Sequence, residues 1–323
     1  MERVKTNLKH RRKLNLVLVP NSISNSFADF KKIAAEIRAL APEISTYVIK
    51  DKKRYLLHNS HLILRPTMVF SPTKLYNFFS CRGSLFQGQP LPKSQELRHL
   101  QENGIPVPAW KLLTPEHTPD LSDFGPYVVF KPDHAAKGAD VKIMRKGRVR
   151  WREPKTQYAQ YKQVEQNNKN WIIQEFIYTG QWPVSYRVET LFGNALWAWR
   201  NEANNARRPL TDKYKFEQGG ISIVSAGHGS RFELHNDPEI ISLAERAHQA
   251  FPKIPLLGID ILKEVPSGNL YVIEVNAIGY TWTASSKPGR NMQAENQIDL
   301  ASQFSCIQTA ARILSEKTKQ YAR

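Results

Sequence analysis

The chain has 323 residues, 41% of them hydrophobic and 10% aromatic, and carries a net charge of +17. That composition excludes a disordered polymer and allows one to three domains with real cores. Only two cysteines, Cys81 and Cys306, are present, which excludes a disulfide framework or a cysteine zinc site, and no apolar run approaches the roughly 18 residues of a membrane span.

The first residues are basic (KHRRK, 9–13) and then apolar (LNLVLV, 14–19). The apolar run is too short for a signal-peptide core and no small-residue cleavage site follows, so KLNLVLVP (13–20) reads as a first β-strand in a reducing, cytoplasmic protein. SFADFKKIAAEIRALAP (26–42) reads as an amphipathic helix with Phe30, Ile33, Ile37 and Leu40 on one stripe. ISTYVIK (44–50) reads as a second strand. This β-α-β opening lacks the G-x-G-x-x-G of a dinucleotide site. LFQGQPLP (85–92) is rich in turn residues and reads as a domain boundary.

A helix in KSQELRHLQENGIPVPAWKLL (93–113) ends at Gly104, and Pro106 and Pro108 force an extended exit. PYVVFKP (126–132) reads as a strand, DHAAKGAD (133–140) as a small-residue loop, and VKIMRKGRVRW (141–151) as a hairpin turning at Lys146-Gly147. NWIIQEFI (170–177) and SYRVETLFGNALWAWRNE (185–202) supply three more strands. DPEIISLAERAHQAF (237–251) is a helix capped by Asp237 with Pro238 in its first turn. The segment 294–320 closes the chain as a helix, broken at most once.

Between those last helices lie two apolar runs, LLGIDILKEV (256–265) and LYVIEVN (270–276), joined by the turn signature PSGN. A turn centred near Ser267 places Asp260 opposite Glu274. Residues two apart on a strand share a face, so Asn276 joins them. Buried carboxylates require a partner. Three hard oxygen donors on one face suit Mg²⁺ or Mn²⁺. The competing reading pairs the acids with Lys or Arg from elsewhere in the chain.

The positive charge points to nucleic acid, an anionic membrane surface or anionic substrates. It concentrates at 9–13, 142–155 and 207–215, where Arg207, Arg208, Lys213 and Lys215 lie in a loop before Gly219-Gly220. No zinc-finger spacing, basic-region helix or aromatic RNA-binding signature accompanies it.

Taken in order, the motifs helix-G-I-P-x-P, strand-K-P with a glycine-containing loop, Q-E-F-I, a Y-R-V strand, and G-I-D-x-L followed by E-V-N resemble the ATP-grasp superfamily over about 93–285. The resemblance is to its carboxylate–amine ligases, such as the D-alanine–D-alanine ligase and ribosomal-protein glutamate ligase families. It implies an α/β (α+β) fold: a pre-ATP-grasp domain at 1–92, a small lobe at 93–177 and a C-terminal lobe at 178–323. It also implies ATP and Mg²⁺ (or Mn²⁺) as cofactors. Lys93 and Lys131 would meet the nucleotide, and Gly138 would let backbone N–H groups close over its phosphates. Glu175 and Ile177 would offer backbone groups to adenine with Gln174 nearby, and Gln181 stands where the family often has a ribose-binding acid. Asp260, Glu274 and Asn276 match the metal ligands. Arg187 and Arg200 match arginines near the γ-phosphate and acyl group.

Two departures stand out. Ala135 and Ala136 occupy a loop that is usually richer in Ser and Gly, and EVNAIGYTW lacks the usual proline after E-V-N, with Gly279 one step early. The implied activity is joining a small-molecule or peptide carboxylate, anionic or not, to an amine or thiol through an acyl phosphate, releasing ADP and phosphate. A kinase of a polyanionic small molecule and a nucleic-acid-binding protein on a degenerate ATP-grasp fold are the alternatives. No membrane role is expected.

Overall fold

The computed structural model describes residues 14–20, 27–49, 65–75, 83–134, 140–154, 169–206, 218–219, 230–278 and 282–322. The expected phosphate-loop glycine Gly138, the basic cluster 207–215, the basic start 9–13 and Gly279 lie outside them.

The N-terminal strands β1 (Leu14–Leu18), β2 (Ile44–Val48), β3 (Met68–Ser71) and β4 (Ser84–Gln87) form a parallel sheet in the order β2-β1-β3-β4. β1 and β3 are near-continuous apolar runs because they are covered on both faces. Helix α1 (Phe27–Leu40) lays Phe30, Ile33, Ala34 and Ile37 against the sheet, and Leu40, counted in the expected stripe, ends 58% exposed at the helix end. The expected boundary at 85–92 is partly an edge strand, since Leu85, Phe86 and Gln87 pair with β3.

Helix α2 (Lys93–Glu102) follows and stops where Gly104 adopts φ +68°, a conformation that favours glycine. The second sheet is antiparallel, ordered β11 (Gln218–Gly219), β7 (Lys142–Arg145), β6 (Tyr127–Pro132), β8 (Trp171–Glu175), β5 (Trp110–Leu113). The hairpin expected at 141–151 does not form. After β7 the chain makes a short 3₁₀ turn at Lys146–Arg148, and the Lys146 ammonium donates to the carbonyls of Leu121, Ser122 and Phe124. Those bonds tie the segment to a neighbouring loop instead of to β7.

The third sheet is also antiparallel, ordered β12 (Ser230–Leu234), β10 (Asn194–Ala203), β9 (Val184–Leu191), β13 (Leu256–Lys263), β14 (Leu270–Asn276). The β9–β10 turn carries positive φ at Phe192 and Gly193, the tight hairpin geometry. Alternation along β9 sends Tyr186, Val188 and Thr190 to one face. There α3 (Pro238–Gln249) covers them with Ile240, Leu243 and Ala244, and Thr190 meets His248 at 2.7 Å. Asp237 caps α3 as expected, accepting from the Glu239 N–H. The other face carries Arg187, Glu189 and Leu191.

The closing helix breaks twice, at Gln297 and Ser305, both with positive φ, giving α4 (Lys287–Asn296), α5 (Leu300–Gln303) and α6 (Cys306–Gln320). α6 returns to the first sheet. Its Ala310, Ala311 and Leu314 share one core with Phe30, Leu16 and Leu18, and with Leu191, Trp197 and Leu256 of the third sheet. Trp282 joins this core, its ring tilted against Phe30 and edge-on to Trp197, and donates to Asp29 at 2.9 Å. One apolar cluster thus binds the ends of the chain to the sheet that carries the site. No helix among the described residues is long and apolar enough to cross a membrane.

Candidate active site

The β13–β14 hairpin places Asp260 directly opposite Glu274, in the expected register. The register holds from Gly258–Asn276 to Asp260–Glu274 and then slips by one residue. Ile273 is the extra residue of that bulge. It lies with Leu262 and Ile177 in a small apolar cluster, on the same side as Glu274.

On the other side of β13, Asp260 pairs with Arg187 of β9. Arg187 lies opposite Trp199 of β10, its guanidinium carbon 5.9 Å from a ring centroid of that indole. Four strands therefore present the row Trp199, Arg187, Asp260, Glu274 on one face. The Arg187 guanidinium grips Asp260 with both arms, Nε to Oδ1 at 2.7 Å and Nη2 to Oδ2 at 2.5 Å. Asn276 donates its amide N–H to Asp260 Oδ2 at 2.8 Å, which turns its amide oxygen the other way.

Two lysines approach the hairpin from α2 and from the second sheet, one at an acid and one at the backbone. Lys93, in the first turn of α2, meets Glu274 Oε1 at 2.5 Å. Asp133 anchors that turn, accepting from the Ser94 N–H at 2.7 Å and hydroxyl at 2.9 Å, while its carbonyl accepts from the Lys93 N–H. Lys131, near the end of β6, donates to the Ile273 carbonyl at 3.1 Å. The bulge and Lys131 thus meet at one atom.

Asp260, Lys93, Lys131 and Glu96 are buried while Arg187, Glu274 and Asn276 are half-buried, and the electrostatics follow from that. Burial pushes the Glu274 carboxyl up, but the ammonium groups of Lys93 and Lys131 outweigh it and hold it below its ordinary value. Burial would lower Lys93, yet Glu274 and Glu96 raise it. Lys131 lacks a direct acidic contact, so burial prevails and brings it down to about 8. Glu96, one helical turn from Lys93, is pushed up by burial to about 8, with Lys93 opposing.

Sequence reasoning overlooked Glu96 and Glu189. The spacing K-x-x-E in KSQE was the available signal for the first, since residues three apart share a helix face. For Glu189 it was R-V-E, since residues two apart share a strand face. Glu189 is fully buried, and burial drives its carboxyl well above the ordinary range, with Arg187 opposing and Asp260 adding.

Not every expected residue joins the group. Arg200 lies opposite Tyr186, one residue along from Trp199, and so on the sheet's other face. There it forms ion pairs with Glu202 and Glu233. Strand alternation thus turns Arg200 away from the row that holds Arg187, Asp260 and Glu274. Gln174 is buried on β8, and its side-chain N–H group has no hydrogen-bond partner. The Glu175 N–H donates to the Ala109 carbonyl at 2.8 Å, so its carbonyl is the group that could serve a ligand. Gln181 is exposed beside Gly180 and Trp182.

The donor set fits a hard divalent cation. Glu274 has its Oε2 beyond the lysine contact, Asn276 offers its amide oxygen, and Asp260 Oδ1, which accepts one bond where Oδ2 accepts two, keeps a lone pair. Among the described residues no cluster of three or more His, Cys, Asp or Glu could hold a metal, so the amide oxygen is needed to complete a set here.

Residues 92–278, more than half of the chain, match the sequence profile of the ATP-grasp domain. The fold is similar to a D-alanine–D-alanine ligase from Bacillus anthracis solved with ATP, at 14% identity and TM-score 0.51 over 95% of this chain and 99% of that one. It is similar to the ATP-grasp ligase PsnB solved with a minimal precursor, Mg and ADP, at 16% identity and TM-score 0.53 over 94% and 98%. It is also similar to the D-cycloserine synthetase DcsG, at 14% identity and TM-score 0.52 over 94% and 99%. No curated protein matches the sequence. The profile match, on a fold these structures share, shows that the chain belongs to the ATP-grasp family.

Proposed function

We propose that the chain is an ATP-dependent ligase that joins a carboxylate to an amine, or to a thiol, through an acyl phosphate, forming ADP and phosphate. The observation that carries this reading is the row Arg187–Asp260–Glu274, with Asp260 buried and its two neighbours half-buried, met by Lys93 and Lys131 from α2 and the second sheet. Two acids and three cations gathered in one largely buried group are costly for a purely structural purpose. They suit a site where phosphate charge must be held and transferred.

In this reading Asp260, Glu274 and Asn276 hold Mg²⁺, which when bound neutralises phosphate oxygens and draws charge from the leaving group. Lys131 and Lys93 contact the phosphates, and Gly138 belongs to the loop over them. Ile177, Leu262 and Ile273 give adenine an apolar wall, with Gln174 and the Glu175 carbonyl at its polar edge. Gln181 serves the ribose. Arg187 orients the carboxylate as it becomes an acyl phosphate, a role its planar fork suits. Arg200 takes no part. The segments 1–92, 93–177 and 178–323 act as pre-ATP-grasp domain and two nucleotide-binding lobes in a cytoplasmic enzyme whose substrates are small molecules or peptides.

A kinase acting on a polyanionic alcohol is the second reading, favoured by the +17 net charge. Both readings require Mg-ATP to bind. Mg-ATP at millimolar concentration is expected to raise the melting temperature by mass action. No shift, with salt-sensitive RNA binding in its place, would favour a nucleic-acid-binding protein instead.

A further inference from the structure

Glu189 is two residues beyond Arg187 on β9 and shares its face. It is 0% exposed, and neither of its carboxyl oxygens has a hydrogen-bond partner. Its lateral neighbours are Trp197 on β10 and Gly258 on β13, and Gly258 in turn pairs with Asn276. The row Trp197, Glu189, Gly258, Asn276 thus runs directly beside the row Trp199, Arg187, Asp260, Glu274.

Gly258 makes the room this carboxyl occupies. A Cβ at that position would stand 2.8 Å from Oε1 and 3.1 Å from Oε2 of Glu189. The carboxyl therefore lies over the glycine, toward the strand that carries Asn276. The fold pairs both neighbouring acids with cations, Arg187 with Asp260 and Lys93 with Glu274, and among the described residues none bonds to this one, the Arg187 guanidinium being turned to Asp260. A buried acid with no cation bonded to it is held neutral, and a cationic ligand brought to it would be met by its charge.

The surroundings indicate which ligand. A divalent cation takes six or more oxygens. This row offers one carboxyl, a glycine and an indole before reaching Asn276. An aromatic ring beside a carboxylate is instead the setting that suits an organic ammonium. We propose that Glu189 receives the ammonium group of the acceptor substrate, with the Trp197 ring beside it. This rests on the ligase reading of the same site, and it selects an amine acceptor over a thiol.

The probe is propylammonium chloride, compared with potassium chloride at matched ionic strength and with 1-propanol as the uncharged analogue. Melting temperatures are recorded for the full chain saturated with Mg-AMPPNP. Propylammonium is expected to stabilise wild type in a dose-dependent way, beyond either control. Its apparent dissociation constant should rise at least about tenfold in Glu189→Gln, and that variant should melt no lower than wild type without ligand, because it loses an unpaired acid and no contact. Glu189→Asp should show a smaller weakening, and it decides alone if the glutamine variant does not fold. Equal propylammonium responses in wild type and variants would overturn the assignment while a Mg-AMPPNP shift leaves the ATP reading standing. Absence of the Mg-AMPPNP shift in wild type would overturn the ligase reading and this assignment with it.

Discussion

Arg187 and Asp260 sit opposite each other on neighbouring strands and share two hydrogen bonds, at 2.7 and 2.5 Å. Asp260 is 1% exposed, so the guanidinium supplies most of what makes its charge tolerable. Arg187→Met should therefore lower stability by about 3 kcal/mol, the low end for breaking a buried pair, since Arg187 keeps some solvent contact. The double variant with Asp260→Asn should recover at least half of that loss, because no charge is then left stranded. Urea unfolding of the singles and the double measures both effects, and an unchanged midpoint for Arg187→Met contradicts the pairing.

Lys131 gives a pH signature. Burial lowers its folded-state value from 10.5 to about 8, so between these limits the unfolded chain binds more protons than the folded one. Its contribution to stability is complete above 10.5 and is lost as pH falls through about 8. Lys131→Met should flatten that part of the stability profile and be more stable than wild type below pH 8. The same variant should bind Mg-ATP more weakly by about 1.5–3 kcal/mol, as calorimetry would read. Equal affinities would return Lys131 to a structural role.

Glu96 predicts the opposite slope. Its carboxyl rises from 4.5 to about 8 on burial, so the folded chain holds a proton that the unfolded chain releases across that range. Its contribution is complete below 4.5 and is lost as pH rises through about 8. Glu96→Gln should make the stability profile between those values shallower. A profile identical to wild type would mean that Glu96 is not held protonated.

Asp260→Asn and Glu274→Gln keep the side-chain shape and should fold, each less stable than wild type because Arg187 or Lys93 loses its carboxylate, while turnover falls at least about 100-fold because any divalent cation site is weakened. Near-wild-type turnover in either variant would remove these residues from the proposed site.

Much of this arrangement could be read from the sequence because strand pairing is a local matter. PSGN fixed a short turn, and counting from it put Asp260 opposite Glu274. The one-residue bulge at Ile273 was not legible, since nothing in LYVIEVN marks it. Arg200 shows the limit of a motif match. WAWRNE places it near the right strand, but alternation from Trp199 sends it to the other face. The expected hairpin at 141–151 failed because Lys146 found carbonyl partners about twenty residues earlier in the chain, which no local pattern encodes. Glu189 escaped notice for a related reason. Its burial without a partner depends on Gly258, a residue on another strand.

The fate of the γ-phosphate tests the central proposal most directly. The protein is incubated with Mg-ATP and metabolite fractions that support ADP formation, with and without hydroxylamine. An acyl phosphate is an electrophile, so hydroxylamine should capture it as a hydroxamate, and without capture free phosphate should appear one-for-one with ADP. ADP accompanied by a stable phosphorylated product, with no free phosphate and no hydroxamate, would contradict the ligase and identify a kinase.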